Sequence, residues 1–174
     1  MRWLRKSLFS LVILLAGFTV YSQVTSVTST GHIIAEVIPV FSATETAQMS
    51  FGRFSPGPQG GEILLTPEST ISVLGSVFAG TGTHNAASFY VAGDSNASFT
   101  ISLPDEPVVL RHMSGTRTMI IENWISNPGP AIGAGILQDG CQTVYVGATL
   151  KVGTLSDNPV GVYAGTYAIT FDFN

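Results

Sequence analysis

Hydrophobic and polar positions alternate along this chain, most clearly in its final stretch, residues 161–174. Gly161, Tyr163, Gly165, Tyr167, Ile169, Phe171 and Phe173 share one parity; Val162, Ala164, Thr166, Ala168, Thr170, Asp172 and Asn174 share the other. Successive side chains of a strand point to opposite faces, so this pattern predicts a strand with one buried face. It is far longer than a usual strand of about 5–6 residues, and Gly165 is the natural place for a bulge or bend to divide it. A long apolar edge with the single charge of Asp172 is an aggregation template unless something pairs with it.

The same period recurs upstream. Residues 31–41 place Ile33, Ala35, Val37, Pro39 and Phe41 on one face. Pro39 cannot donate to a ladder, so this strand is expected at an edge or to end in a bend. A short strand over 49–54 is followed by Ser-Pro-Gly-Pro-Gln-Gly-Gly, which reads as a loop over 55–61. Strands are expected over 62–66 and 71–78, with a loop over 80–85. Residues 87–92 and 97–102 are near duplicates, Phe89 and Val91 matching Phe99 and Ile101, and read as a hairpin. Further strands are expected over 108–112, 116–125 and 143–152. In the last of these Val144, Val146, Ala148, Leu150 and Val152 face inward and Tyr145, Thr149 and Lys151 outward. No sustained 3.6-residue pattern follows residue 22. About 8–10 short, mostly antiparallel strands at this spacing predict an all-β sandwich or barrel.

The first segment changes the compartment. Arg2, Arg5 and Lys6 precede an apolar run from Leu8 to Ala16, which reads as a signal peptide over residues 1–22, cut before Gln23. Its apolar stretch falls short of the roughly 18–20 residues needed to span a bilayer. The organisation expected is therefore 1–22 leader, 23–30 polar tether and 31–174 β-sandwich domain, exported to the periplasm, outer surface or medium, with no membrane span after cleavage. Without the leader, Arg53, Arg111, Arg117 and Lys151 stand against all eleven acids. That balance speaks against nucleic acid, whose phosphates are neutralised by Lys and Arg. The remaining chain of about 150 residues suits one domain. Its one cysteine, Cys141, allows no internal disulfide and reads as a small apolar residue at a strand entrance.

Several phrases recur as an ordered set: Met49-Ser-Phe-Gly-Arg-Phe-Ser-Pro-Gly57, Ala86-Ala-Ser-Phe-Tyr-Val-Ala-Gly93 with Asn96, Phe99-Thr-Ile-Ser-Leu-Pro104, Val144-Tyr-Val-Gly-Ala-Thr-Leu150, and residues 161–174. Together they resemble an exported bacterial family known as domain of unknown function 4402. The resemblance implies a secreted β-sandwich over residues 31–174 and assigns no activity. The C-terminal stretch also resembles chaperone–usher pilus subunits and spore-coat-U-type surface proteins, with Gly161 fourteenth from the end and Phe173 penultimate. In those subunits the last strand flanks a groove filled by a chaperone and then by the next subunit, a case of strand addition. That resemblance implies an immunoglobulin-like, pilin-like sandwich whose partners are further copies or related surface subunits and a periplasmic chaperone. Two features differ: no internal disulfide is possible, and the tether over 23–30 offers apolar residues only at Val24 and Val27.

No catalytic constellation is visible. Asp105 and Glu106 are adjacent, so in extended chain they point apart. His32, His84 and His112 lack metal-ligand spacing. Asp94-Ser-Asn96 lacks the later Gly and bidentate Glu of a calcium loop, and Gly133-Ala-Gly135 lacks the third Gly and the helix of a dinucleotide site. No cofactor is expected, and the chain is expected not to be an enzyme. Trp124 shares parity with Glu122 rather than with Met119 and Ile121, which places it on the outer face, where it could stack on a sugar or anchor a protein contact. Two readings of function remain open: a surface structural subunit assembling through Gly161, Tyr163, Gly165, Tyr167, Ile169, Phe171 and Phe173, or a carbohydrate- or protein-binding module using Trp124.

Overall fold

The computed structural model describes residues 25–37 and 40–174; the expected leader lies outside the described residues. The chain divides into two units, Met1–Val37 and Ile38–Asn174. In the first, residues 25–37 carry no strand and are exposed throughout. The expected strand over 31–41 is therefore corrected: among the described residues the first strand starts at Ser42.

The second unit is all-β. Its strands are β1 (Ser42–Ala47), β2 (Phe54–Leu65), β3 (Ile71–Ala79), β4 (Ala87–Ala92), β5 (Ser98–Ser102), β6 (Val108–His112), β7 (Thr118–Asn127), β8 (Gly135–Ile136), β9 (Cys141–Val152), β10 (Tyr163–Ala164) and β11 (Thr170–Phe173). Eight of them form one antiparallel sheet in the order β1-β4-β9-β7-β6-β10, with β2 pairing both β9 and β3; β11-β5-β8 form the second. Among the described residues no helix is long and apolar enough to cross a membrane.

The organising strand is β9. Along one edge it pairs β4 through Cys141–Val146 and then β2 through Ala148–Val152. Gly147 marks the change of partner, and a Cβ there would stand 2.1 Å from the Leu65 carbonyl oxygen, so only glycine lets the end of β2 come in. The other edge pairs β7, whose ladder jumps from Glu122↔Thr149 to Ile125↔Gly147. Asn123 and Trp124 thus oppose Ala148 alone, and Asn123 takes a positive φ of 52°. That is a β-bulge, which bends a strand and raises its twist.

The core divides at the same level. Ile63, Leu65, Val77, Met119, Ile121, Leu150 and Val152 pack on one side of it. Ala87, Val91, Phe99, Ile101, Leu137, Val144 and Val146 pack on the other, beneath the small sheet. The inward face expected for β9 is fully buried. Thr149 departs from its expected outward placement and is also buried. Lys151, half-exposed on the outer face, bridges Glu62 and Glu122 across three adjacent strands.

Two further expectations change. The near-duplicate segments are not a hairpin: β4 belongs to the large sheet and β5 to the small one. Their matched apolar residues Val91, Phe99 and Ile101 meet face to face across the core rather than side by side, which buries more of each side chain. The Pro- and Gly-rich stretch 55–61 is not a loop but the first half of β2, paired to β3 with a register shift between Pro56 and Gly60. Gly57 packs against Ser76 there, and the shift accommodates the proline that a regular ladder would reject.

Candidate functional site

The terminal stretch is one alternating pattern laid across two sheets. Tyr163 and Ala164 pair with His112 and Arg111 of β6 at the edge of the large sheet. Gly161 is held by sterics: a Cβ would fall 1.9 Å from His112 Nε2. The ring itself is fixed, since the Ser114 N–H donates to Nδ1 at 3.1 Å and Nε2–H donates to the Val160 carbonyl at 3.2 Å. Gly165, where the sequence anticipates a bend, sits 2.8 Å (as a virtual Cβ) from the Val109 carbonyl and the Leu110 side chain. There the chain leaves β6 and crosses to the second sheet, so residues 165–169 belong to no strand.

It re-enters a ladder as β11, antiparallel to β5, with Phe171 opposite Ile101 and Phe173 opposite Phe99. The Asn174 N–H donates to the Ser98 carbonyl at 3.0 Å. Hydrogen-bonding residues alternate along an antiparallel strand, so Thr170 and Asp172 bond β5 while Phe171 and Phe173 turn their backbone groups to the other edge. Among the described residues nothing pairs with that edge. The same residues carry the inward side chains. Tyr163, Tyr167, Ile169, Phe171 and Phe173 are all half-buried and the intervening residues exposed, so the expected face is present but incompletely covered.

Those side chains form an aromatic wall over the second core. Phe171 lies 6.0 Å from Phe99 and 5.9 Å from Phe89, and Phe173 lies 5.7 Å from Phe99. Phe41 stacks on Phe173 at 3.8 Å between centroids and occupies the space above Gly93. Glu45 and burial together hold the Tyr167 phenol above its ordinary range, burial being the larger cause. Phe41 immediately precedes β1 and Glu45 lies within it, so β1 passes alongside the terminal stretch, with Phe41 at Phe173 and Glu45 near Tyr167, yet the two are not hydrogen-bonded to each other. Among the described residues β1, like β11, has a partner on one side only, β4. Two unpaired strand edges therefore flank the wall. Sequence reasoning did not find Phe41 or Phe89 as parts of it. Their parity marks them as inward-facing, but no local signal says which sheet each one faces.

Trp124 is placed differently from its sequence parity. The bulge at Asn123 reverses the alternation and turns the indole inward, where it touches both halves of the core. Its ring lies 4.7 Å from that of Tyr167. Trp124 Nε1, Ser126 Oγ and Tyr167 Oη are all buried without a hydrogen-bond partner, an unfinished polar patch at the end of the wall.

The region bounded by these rings coincides with a shared unit. A family model described as Domain of unknown function (DUF4402) matches residues 41–173. The chain belongs to that family. No curated protein and no solved structure gives a significant match. The matched span of this DUF4402 domain opens on Phe41 and closes on Phe173, the two stacked rings that join β1 to β11. Residues 25–37 precede it.

Elsewhere on the domain, a cleft of about 650 Å³ runs beside β7, floored by Ile101, Leu103 and Trp124 and rimmed by Asp105, Glu106 and Asn123. Asp105 and Glu106 are exposed there. No group of three or more His, Cys, Asp or Glu side chains among the described residues converges as metal ligands would.

Proposed function

We propose that this chain is an exported, non-enzymatic structural subunit of the cell surface that assembles by strand pairing at the edge of β11. The observation that carries the reading is the coincidence, on Phe171 and Phe173, of backbone groups turned to an unpaired edge with aromatic side chains only half-covered. A strand laid against that edge would satisfy the backbone groups and cover the wall in one step. The alternating terminal stretch and the export leader read from the sequence support the same role. Mass spectrometry of purified surface fibres tests it. The chain is expected among their proteins; its absence, together with a soluble monomer in the medium, would sink the reading.

The cleft beside β7 favours a second reading, a carbohydrate- or protein-binding module, because an aromatic floor with a carboxylate and amide rim suits a sugar. Asp105→Ala, exposed on the rim and away from the bulge that orients Trp124, is expected to abolish glycan-array binding under that reading.

A further inference from the structure

Residues 50–53, just ahead of β2, are anchored from the inside. Phe51 and Phe54 pack into the first half of the core, and Arg53 stands exposed between them. The loop 80–85 between β3 and β4 lies over this segment and is pinned at both ends. The Gly80 N–H donates to the Arg53 carbonyl at 2.7 Å, and Ser50 and Asn85 exchange two N–H···O bonds of 2.9 Å. Between the pins, Gly52 takes a φ of 74° and brings the two backbones together. A Cβ there would stand 3.3 Å from the Thr83 carbonyl oxygen, and one at Gly82 would stand 3.3 Å from Arg53 Cγ. A cavity of about 550 Å³ opens at this place, lined by Ser50, Gly52, Arg53, Thr81, Gly82 and Thr83. Its chemistry is one guanidinium among hydroxyls and backbone, and no carboxylate lines it. Lys151 is held between Glu62 and Glu122, whereas Arg53 is in no ion pair among the described residues.

We propose that this cavity binds an acidic sugar, a hexuronic acid, with Arg53 gripping the carboxylate and Thr81 and Thr83 meeting the ring hydroxyls. A planar guanidinium fork matches one carboxylate with two parallel hydrogen bonds. A phosphate monoester carries close to two negative charges and would meet no second cation on this lining. A threonine hydroxyl both donates and accepts, so it serves either sense of a sugar O–H. The volume falls within the range of about 300–1,000 Å³ usual for small-molecule sites. With the loop pinned at both ends in the free protein, little remains to be ordered on binding. The cavity shares no lining residue with the cleft beside β7 and none with β11, so its occupancy is independent of both.

The test uses the full chain, expressed with its leader in an exporting host and titrated with glucuronate and with galacturonate by calorimetry and amide chemical shifts. One of the two is expected to bind saturably below about 10 mM, moving the amides of Gly52, Gly82 and Thr83. Glucose, which lacks the carboxylate, and acetate, which lacks the hydroxyls, are each expected to bind about tenfold more weakly or less. Arg53→Gln is expected to lower uronate affinity by about tenfold or more, with an unchanged melting temperature because the side chain is exposed. Arg111→Gln, which removes an exposed charge from the flat strand β6, is expected to bind as wild type. Thr81→Val with Thr83→Val keeps the charge and is expected to weaken the uronate while leaving acetate unaffected. An oligosaccharide of the same uronate that binds more tightly than the free sugar acid marks a polysaccharide as the source; equal binding marks the free acid. Sulfate or acetate binding as tightly as either uronate would reduce the cavity to an unspecific anion hole and overturn the proposal. So would uronate affinity that survives Arg53→Gln, affinity that falls equally with Arg111→Gln, or no saturable binding of either uronate.

Discussion

Trp124 joins the two halves of the core, and its substitution therefore reads out packing before it reads out binding. Trp124→Ala removes the tilted ring contact with Tyr167 and contacts to both clusters. For a half-buried ring the expected loss is about 2–4 kcal/mol, somewhat below a fully buried aromatic. Trp124→Phe is expected to cost less, because it keeps a ring and removes a buried N–H that has no partner. Denaturant unfolding of both variants checks the order. Tyr167 supplies a pH signature. Its phenol, ordinarily ionising near 10.0, is pushed upward by burial and by Glu45. The folded state thus holds its proton more tightly than the unfolded chain, so stability is complete below that ordinary value and falls as pH rises above it. Tyr167→Phe is expected to flatten the alkaline limb of a melting-temperature profile; an unchanged limb would contradict the assignment. The inward turn of Trp124 follows from one bulge residue that reverses parity; the only local mark is that Asn123, a polar residue, falls in the inward row of Met119 and Ile121.

At the scale of elements, β9 and its glycine decide how the sheet is shared. Gly147→Ala would set a Cβ against the backbone of Leu65, which cannot swing aside as a flexible side chain could. The β2–β9 ladder must open, at an expected cost of about 1–3 kcal/mol. Gly129→Ala, with nothing within 4 Å of the new methyl group, is the matched control and is expected to stay within about 0.5 kcal/mol of wild type. Thermal melts of the pair check this. The inward face of β9 was plain from alternation alone. That two strands divide one of its edges was not, because pairing partners are chosen by contacts distant in sequence. The terminal stretch shows the same division: its burial alternation and the break at Gly165 follow from local pattern, whereas its transfer from β6 to β5 depends on where those strands end.

For the whole molecule, assembly and stability should be linked. If copies pair at the edge of β11, the melting temperature is expected to rise with protein concentration, because the bound form is withdrawn from the unfolding equilibrium. A scan over a hundredfold concentration range checks this. Phe99→Ala is a useful contrast, since Phe99 is fully buried under the wall. It is expected to lose about 3–5 kcal/mol at every concentration.

By itself the sequence determined the all-β class, the positions of most strands and which face of each turns inward. These depend on a period of two that the backbone imposes locally. The tertiary structure alone decided that the twin segments β4 and β5 oppose each other across the core, that Trp124 points inward and that 31–37 stands outside the strands. It also decided that β11 keeps an unpaired edge. Each of these is a question of which partner a strand finds, and pairing energy is settled between segments far apart in the chain, where no local pattern can record the choice.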